Sequence, residues 1–371
     1  MKFPVDIPTW SPSKQWYYTH YDTREEFREF VRNLFTELEP DYKFDETTEM
    51  FNEHSRYFRK HHTYCTHPRG SKDYITYWNT MKERCKKGVI FHNDKGQTWY
   101  LTRFYYHWLN FLQIYNKEQN NMTFPDIVDA QYHTFLYEEL AKLYYMHVIC
   151  FKKRQFAWTY MKIARQYNQY MFDKGFVGKI GASDKKYVDD TGAWKYLMEY
   201  RDFNNEFTGW YRPNLPDKPM NWKQQQEVVT EEGKKIMKGT KAKITGHTFE
   251  KSPTAGVGGA TSEFDYEESG IASTLSKTYG YMKPAMEYGL ITTGLFIAGG
   301  SVGELGEAQD LYKYLMNPKA YGFYPVKNNL VDKTGTIQET GLFIPEHWGM
   351  PPYIDRYGNS MVKEAKEALD Q

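Results

Sequence analysis

The order of apolar segments in the middle of the chain most restricts how it can fold. An apolar run at residues 147–151 is followed by a short polar loop and then by helical spacing that begins near Thr159. Alternation of strands with helices is typical of a mostly parallel sheet. We therefore predict an α/β fold with helices flanking the sheet. The further candidate strands, separated by helical or polar connections, are residues 175–182, 242–249, 262–266 and 290–298.

Bulk composition excludes several classes of protein. The chain has 371 residues, which allows more than one packed unit, and its net charge of +1 gives no global attraction to nucleic acid or membrane. Three cysteines cannot form a disulfide framework, and no apolar run reaches the length that crosses a bilayer. We expect a protein of the reducing cytoplasm.

Three regions are predicted along the chain. Residues 1–120 form a mainly helical accessory region, in which a capping box at Thr23 opens a helix that runs toward Pro40. Residues 121–330 form the α/β core, and residues 331–371 form a C-terminal lid or linker segment. The 213–260 part of the core is polar and glycine-rich, and is predicted to be loop or hairpin.

Residues 148–160 have the layout of a phosphate-binding loop. Such a loop directs backbone N–H groups and a helix N-terminus at the phosphates, and its Ser or Thr hydroxyl binds Mg²⁺. The strand, the pair Arg154 and Gln155, the hydroxyl of Thr159 and the following helix are all present. The alternative is an ordinary turn between a strand and a helix.

The loop departs from the usual pattern at two positions. Ala157 and Trp158 stand where a glycine and a lysine normally precede the hydroxyl residue. Lys152 or Lys153 can supply the missing charge from the strand side, because a flexible ammonium group can approach a phosphate from more than one backbone origin.

Two carboxylates follow the candidate strand at 262–266. Adjacent acids at the end of a strand suit nucleotide hydrolysis, in which one holds Mg²⁺ and the next polarises the attacking water. Here the acids are Glu267 and Glu268, although the strand itself is unusually polar for a buried one. A third element is the strand before Gly299, Gly300 and Ser301, where glycines can bring backbone close to a phosphate.

Taken in order, these segments resemble the ATPase domain of a tailed-phage large terminase, the motor that packages DNA. Residues 152–159 resemble the family form Lys-x-Arg-Gln-x-Gly-x-Ser/Thr of the Walker A motif, and residues 264–270 are similar to its Walker B segment. Residues 124–132 resemble the upstream segment in which a Gln reads the adenine. The other matching landmarks are residues 298–304 with 311 and 316–318 (the coupling motif and its helix), 341–345 and 355–360.

The resemblance implies a P-loop NTPase fold of the ASCE type and assigns roles to individual residues. Glu268 is the implied catalytic carboxylate and Arg154 the implied sensor of the γ-phosphate. Thr159 and Glu267 are the implied Mg²⁺ ligands, and Ser301 would couple hydrolysis to movement. The implied nucleotide-contacting residues are Gln131, Lys152, Lys153, Arg154, Gln155, Phe156, Ala157, Trp158, Thr159 and Ser301.

The same resemblance implies a function and partners. ATP hydrolysis with Mg²⁺ would drive double-stranded DNA into a procapsid in the host cytoplasm, transiently at the portal. The implied partners are the portal protein, the small terminase subunit, a nuclease domain or subunit, and further copies of this chain in a ring, a pentamer. Nuclease activity is not expected from this chain, since we expect an excised ATPase domain or the product of a split gene.

Two alternatives stay open. A degenerate terminase-like subunit would bind portal or DNA without hydrolysing nucleotide, and a related nucleic-acid translocase would hydrolyse ATP with other partners. The altered loop at Ala157 and the polar acidic strand favour the first. A trans-acting arginine has three candidates, Arg165, Arg201 and Arg212, each equally consistent with an ordinary ion-paired side chain.

Overall fold

The structure is a computed structural model, and it describes residues 5–6, 10–11, 16–17, 23–36, 44–93, 95–211, 220–289, 291–301, 308–327 and 339–371. The helices are α1 (Arg24–Leu34), α2 (Glu53–His61), α3 (Lys72–Lys87), α4 (Arg103–Phe111), α5 (Asp129–Leu143), α6 (Trp158–Phe172), α7 (Ala193–Phe207), α8 (Leu275–Met282), α9 (Gln309–Met316), α10 (Pro318–Tyr321) and α11 (Val362–Leu369). In the described part of the chain, no helix is both long and apolar enough to cross a membrane.

Strands lie among these helices along the described part of the chain. They are β1 (Val5–Asp6), β2 (Trp10–Ser11), β3 (Trp16–Tyr17), β4 (Val89–His92), β5 (Thr98–Leu101), β6 (Ile114–Asn116), β7 (Asn121–Thr123), β8 (Val148–Lys152), β9 (Val177–Ala182), β10 (Asn221–Lys223), β11 (Gln226–Val229), β12 (Lys235–Lys238), β13 (Lys243–Thr248), β14 (Glu263–Tyr266), β15 (Glu287–Tyr288), β16 (Ile291–Thr292), β17 (Leu295–Gly300), β18 (Val326–Lys327), β19 (Glu339–Thr340) and β20 (Leu342–Ile344).

The central sheet has seven strands in the order β10-β13-β9-β14-β17-β8-β20. Every neighbouring pair is parallel except β10 with β13. The prediction of a mostly parallel α/β sheet flanked by helices is therefore confirmed. Strand β17 lies between β8 and β14, so one strand separates the loop strand from the acidic strand.

The candidate strands at 175–182, 242–249 and 262–266 are confirmed within two residues at either end, as β9, β13 and β14. The strand predicted at residues 290–298 begins later than predicted, because β17 starts only at Leu295. A β15–β16 hairpin precedes it, and Thr293 and Gly294 both donate their N–H groups to the carbonyl oxygen of Met286, at 2.7 and 2.9 Å. These bonds turn the chain before it can enter the sheet.

The N-terminal region packs directly on the helix that follows the candidate phosphate loop. Arg103 in α4 forms two hydrogen bonds with the carboxylate of Asp173 just after α6, at 2.8 and 3.0 Å. The amide of Asn168 in α6 donates to the carbonyl oxygen of Cys85 in α3 at 2.9 Å. All nine residues of α4 are buried. The accessory region therefore shares one core with the sheet, and the three predicted domain boundaries remain a prediction.

Local signals explain where α1 begins and where it stops. The capping box is present, since the Glu26 N–H donates to Thr23 Oγ1 at 3.2 Å and the Thr23 N–H donates to the Glu26 carboxylate. The helix ends at Leu34, earlier than the proline predicts, because Thr36 leaves the helical path and donates its N–H to His133 in α5 at 3.1 Å.

The C-terminal segment adds one strand to the sheet and covers the start of α5. Strand β20 pairs with β8 on the side opposite β17. Ser360 then donates both its N–H and its hydroxyl to the buried carboxylate of Asp129, at 2.8 and 2.5 Å. Gly358 adopts a φ of +98° and approaches Ile127 so closely that a Cβ would lie 2.5 Å from the Ile127 carbonyl oxygen. Residues 355–360 thus fix the helix that carries Gln131.

Candidate functional site

The three sequence elements meet at one edge of the sheet. Strands β8, β17 and β14 are parallel, so their carboxyl ends lie side by side. Ligands of open α/β sheets bind outside such ends. The loop after Lys152, the residue Ser301 after β17 and the acids after Tyr266 therefore lie at the same edge of the sheet.

The acid at the end of β14 contacts the first turn of α6. Thr159 donates its hydroxyl to Glu267 Oε2 at 2.8 Å. Glu267 is only 1% exposed, and its second oxygen, Oε1, has no hydrogen-bond partner among the described residues. Burial, followed by repulsion from Glu268, raises the pKa of Glu267 to about 7.

A hydroxyl beside a carboxylate with one unsatisfied buried oxygen fits a divalent cation. Mg²⁺ prefers oxygen ligands and uses one or two protein groups together with water and substrate phosphates. Thr159 and Glu267 supply this donor set. A bound cation would also remove the free-energy cost of the unpaired oxygen.

The second acid, Glu268, lies nearer to solvent and faces a lysine. Its backbone is left-handed, with φ 50° and ψ 45°, which directs the chain away from β14. Lys152 Nζ is 3.9 Å from Glu268 Oε1, and the two side chains are 8% and 25% exposed. The carboxylate can therefore meet water while a cation stays beside it.

The two candidate lysines have different partners in the structure. Lys153 turns away from the acids and donates to the backbone carbonyls of Glu346 at 3.1 Å and Gly349 at 2.7 Å. Burial lowers the pKa of Lys153 to about 8. Lys153 is thus bound to the C-terminal segment, while Lys152 lies on the side of Glu268.

The loop itself contains two strained residues. Gln155 has φ 57° and Ala157 has φ 58°, a left-handed conformation that costs an L-residue roughly 1–2 kcal/mol. Ala157 occupies the position where the resemblance expects glycine, and its backbone has the geometry that glycine adopts freely. Phe156 is 3% exposed and anchors the loop in the core.

Trp158 packs inward instead of lining the loop. A Cβ on Gly299 would lie 2.1 Å from the Trp158 ring, so the indole occupies space that only glycine leaves open. Lys162, one turn later, places its Nζ 4.3 Å from the centre of this ring. Gly300 has a similar role, because its Cβ would meet the Gly270 N–H at 2.6 Å. These glycines allow β17 to pack closely against Trp158 and against the turn at residues 268–270.

The remaining predicted residues lie around the loop. Gln131 reaches it through a long hydrogen bond from Nε2 to the Phe156 carbonyl oxygen at 3.5 Å, and its Oε1 has no partner in the described part of the chain. Arg154 is exposed. Ser301 is half-buried at the end of β17, and residues 302–304 of the coupling segment lie outside the described residues.

Sequence reasoning missed a buried ionic cluster behind the loop. It consists of Glu138, Lys162, Arg165, Glu263 and Asp265, all at most 2% exposed. Arg165 contacts Glu138 at 3.1 Å and Glu263 at 2.7 Å, and Lys162 contacts Glu138 directly. Burial and the neighbouring Glu263 carboxylate raise the pKa of Asp265 well above its usual range. The signal was the polarity of β14 together with Lys162 and Arg165 at helical spacing.

A second missed residue is Tyr196 in α7. Its ring lies 3.8 Å from that of Tyr160 in the first turn of α6. Burial, then the carboxylates of Glu199 and Glu267, raise the pKa of Tyr196. The Tyr196 phenol therefore lies close enough to Glu267 to interact with its charge. Nothing in the sequence pattern indicated this residue.

Two of the three arginine candidates have ordinary partners. Arg165 is 1% exposed inside the ionic cluster. Arg201 donates to Asp202 at 2.8 Å and lies over the ring of Trp222. Arg212 lies outside the described residues.

Comparison with known proteins gives little further information. No protein-family model matches the chain, and no curated protein matches it. Among solved structures, the ATPase domain of the large terminase of a Thermus phage, in a mutant form, is similar with a TM-score of 0.39. The two chains are 10% identical over 54% of this chain and 74% of that one.

Proposed function

We propose that the edge formed by β8, β17 and β14 binds ATP with Mg²⁺ and hydrolyses it. The observation that carries the proposal is the hydrogen bond of 2.8 Å between Thr159 and Glu267. It brings the hydroxyl of a strand-loop-helix unit onto the buried acid of a strand that is two positions away in the sheet. An ordinary strand-to-helix turn has no reason to place a hydroxyl on a carboxylate that lacks one partner.

Each side chain then has a role that its surroundings permit. Thr159 and Glu267 hold the cation, which neutralises charge on the phosphates when it is bound. Lys152 and the exposed Arg154 bind the phosphate oxygens, together with the first N–H groups of α6. Glu268 accepts a hydrogen bond from the attacking water and orients it. Gln131, below the loop, offers its free carbonyl oxygen to the adenine amino group.

We further propose that this site powers a DNA-packaging motor of the large-terminase type. The order of the landmarks along the chain supports this proposal, as does the position of β17 between the loop strand and the acidic strand. Double-stranded DNA, a portal protein, a small terminase subunit and a nuclease are then the partners, and a pentameric ring is the working assembly.

Isothermal titration calorimetry with ATP and Mg²⁺, followed by phosphate-release assays, tests the site. We expect millimolar or tighter binding, which Thr159→Val weakens and Thr159→Ser preserves. Glu268→Gln should bind ATP as wild type does but lose turnover. Unchanged turnover in Glu268→Gln would refute the catalytic assignment. Stimulation by portal beyond that by DNA alone supports the packaging motor, and stimulation by DNA alone supports another translocase.

A subunit that binds portal or DNA without hydrolysis is the second candidate. Ala157 and Trp158 favour it, because the Cβ of Ala157 reduces the room for a phosphate and Trp158 leaves the loop without the usual lysine charge. The calorimetry separates the candidates, since the second predicts no heat of ATP binding at millimolar nucleotide.

A further inference from the structure

A segment of the N-terminal region is strongly basic although the chain as a whole is nearly neutral. Residues 54–72 contain Arg56, Arg59, Lys60, Arg69 and Lys72 and no Asp or Glu, whereas the whole chain has 48 basic and 47 acidic residues. The segment also holds four histidines. We call residues 54–72 the basic surface. It covers most of α2, the loop that follows and the first residue of α3.

The cationic groups of this surface point outward. Lys60, Arg69 and Lys72 are exposed and have neither an ion pair nor a hydrogen bond from their side chains to the described residues. Arg56 pairs with Glu49 at 2.9 Å, and Arg59 lies 3.7 Å from Asp126. Three positive charges therefore remain available to a partner.

The N-terminus of α3 is a further feature of this surface that suits phosphate. The loop ends at Ser71, whose hydroxyl caps α3 by accepting the Tyr74 N–H at 3.2 Å. Helix α3 has 16 residues, and its N-terminus carries partial positive charge beside Arg69 and Lys72. Helix N-termini and basic side chains are the usual contacts to nucleic-acid phosphates. Two acids border the surface in sequence, Glu53 in the first turn of α2 and Asp73 in the first turn of α3.

The aromatic side chains argue for a duplex instead of a single strand. Single strands are bound by rings on which bases stack. Phe58 and Tyr64 are buried, and the exposed ring of Tyr57 is already paired with His61 at 4.3 Å. Within residues 54–72, all of which are described, three unpaired cations are exposed, whereas the exposed tyrosine ring already packs against a histidine.

A hydrogen bond connects the basic surface to the segment that leads into α5. Arg59 donates to the backbone carbonyl of Phe124 at 2.9 Å, and Phe124 packs on Phe58 with ring centres 5.6 Å apart. Phe124 leads into α5, which carries Gln131 near the loop.

We propose that the basic surface binds the phosphate backbone of double-stranded DNA, with Lys60, Arg69 and Lys72 as the main contacts. Charge complementarity carries the proposal, and the choice of DNA among duplex polyanions rests on the proposed function. The contacts are to phosphates, so binding is independent of base sequence and depends steeply on salt.

The test is fluorescence anisotropy of the full chain with two duplexes of unrelated sequence, in the absence of nucleotide. The triple variant Lys60→Gln, Arg69→Gln, Lys72→Gln is compared with a control that removes the same charge elsewhere, Lys234→Gln, Lys238→Gln, Lys251→Gln. Three lost phosphate contacts reduce the slope of log Kd against log salt by about 2.7, and raise Kd by more than about tenfold near 50 mM salt. Circular dichroism checks that both variants fold.

Equal binding by the triple variant and wild type would overturn the proposal, and so would equal losses in the variant and its control. Tighter binding to single-stranded DNA or to duplex RNA would overturn the choice of duplex DNA. Calorimetry with ATP on wild type and on the triple variant keeps the two proposals apart. Normal ATP binding by the variant together with lost DNA binding supports the surface, whereas absent ATP binding by wild type, with its salt-dependent DNA binding intact, refutes only the ATPase.

Discussion

The buried carboxylate of Glu267 makes a specific prediction about stability and pH. The pKa of Glu267 is about 7 in the folded protein, against an ordinary value of 4.5. Between these values the folded state keeps a proton that the unfolded state releases. The free energy of unfolding therefore falls as pH rises from about 4.5 to 7, because the folded state binds more protons.

The size of this effect follows from the shift. A difference of 7 − 4.5 = 2.5 units, at 1.36 kcal/mol per unit, corresponds to about 3 kcal/mol lost above pH 7 in the absence of a cation. Glu267→Gln keeps the acceptor for Thr159 and has no such titration. We expect the variant to gain stability relative to wild type as pH rises, by up to about 3 kcal/mol at pH 8.

Urea titrations followed by tryptophan fluorescence, at several pH values between 4.5 and 8 and with EDTA present, measure this difference. Glu268→Gln is the matched control. This variant lacks the neighbouring negative charge that raises the pKa of Glu267. We therefore expect Glu268→Gln to lose stability at a lower pH than wild type does. Added Mg²⁺ should restore stability to wild type but not to Glu267→Gln. A pH-independent difference between wild type and Glu267→Gln would refute the reasoning.

Three further predictions concern the loop and the cluster behind it. Ala157→Gly should raise stability by about 0.5 to 1 kcal/mol in thermal unfolding, since relief of left-handed strain exceeds the entropy cost of glycine, while Ala157→Val should lower it. Lys152→Gln should weaken ATP binding in calorimetry by about tenfold or more, whereas Lys153→Gln should leave affinity nearly unchanged and lower stability, because Lys153 bonds only to backbone carbonyls. Arg165→Met should destabilise the chain by about 3–5 kcal/mol in urea titration by leaving Glu263 buried and unpaired, and adding Glu263→Gln should recover part of that loss.

The sequence was sufficient where the signal is local. The capping box at Thr23, the strand at 148–152 and the helix near Thr159 follow from spacing and capping chemistry within a few residues. The meeting of Thr159 with Glu267 was also predictable, since parallel strands end at one edge. Spacing could not predict which strand separates β8 from β14, because strand order depends on contacts between distant segments.

Side chains that depend on tertiary packing were the ones that sequence could not place. Trp158 stands where a lysine was expected, and whether it faces the ligand or the core depends on Gly299, more than a hundred residues away. Lys152 and Lys153 look equivalent in sequence. They differ only because the C-terminal segment offers two carbonyl oxygens to one of them.

Strand β14 is buried although its sequence is unusually polar. The contacts of its acids explain this polarity. Glu263 at the start of the strand pairs with Arg165, and Glu267 after its end accepts a hydrogen bond from Thr159. Four residues of strand span about 13 Å and six residues of helix about 9 Å, so α6 is fastened to β14 at two separate points. Shifting the loop relative to the acids would break a buried ion pair, which costs several kcal/mol. The loop and the acids therefore form one rigid unit.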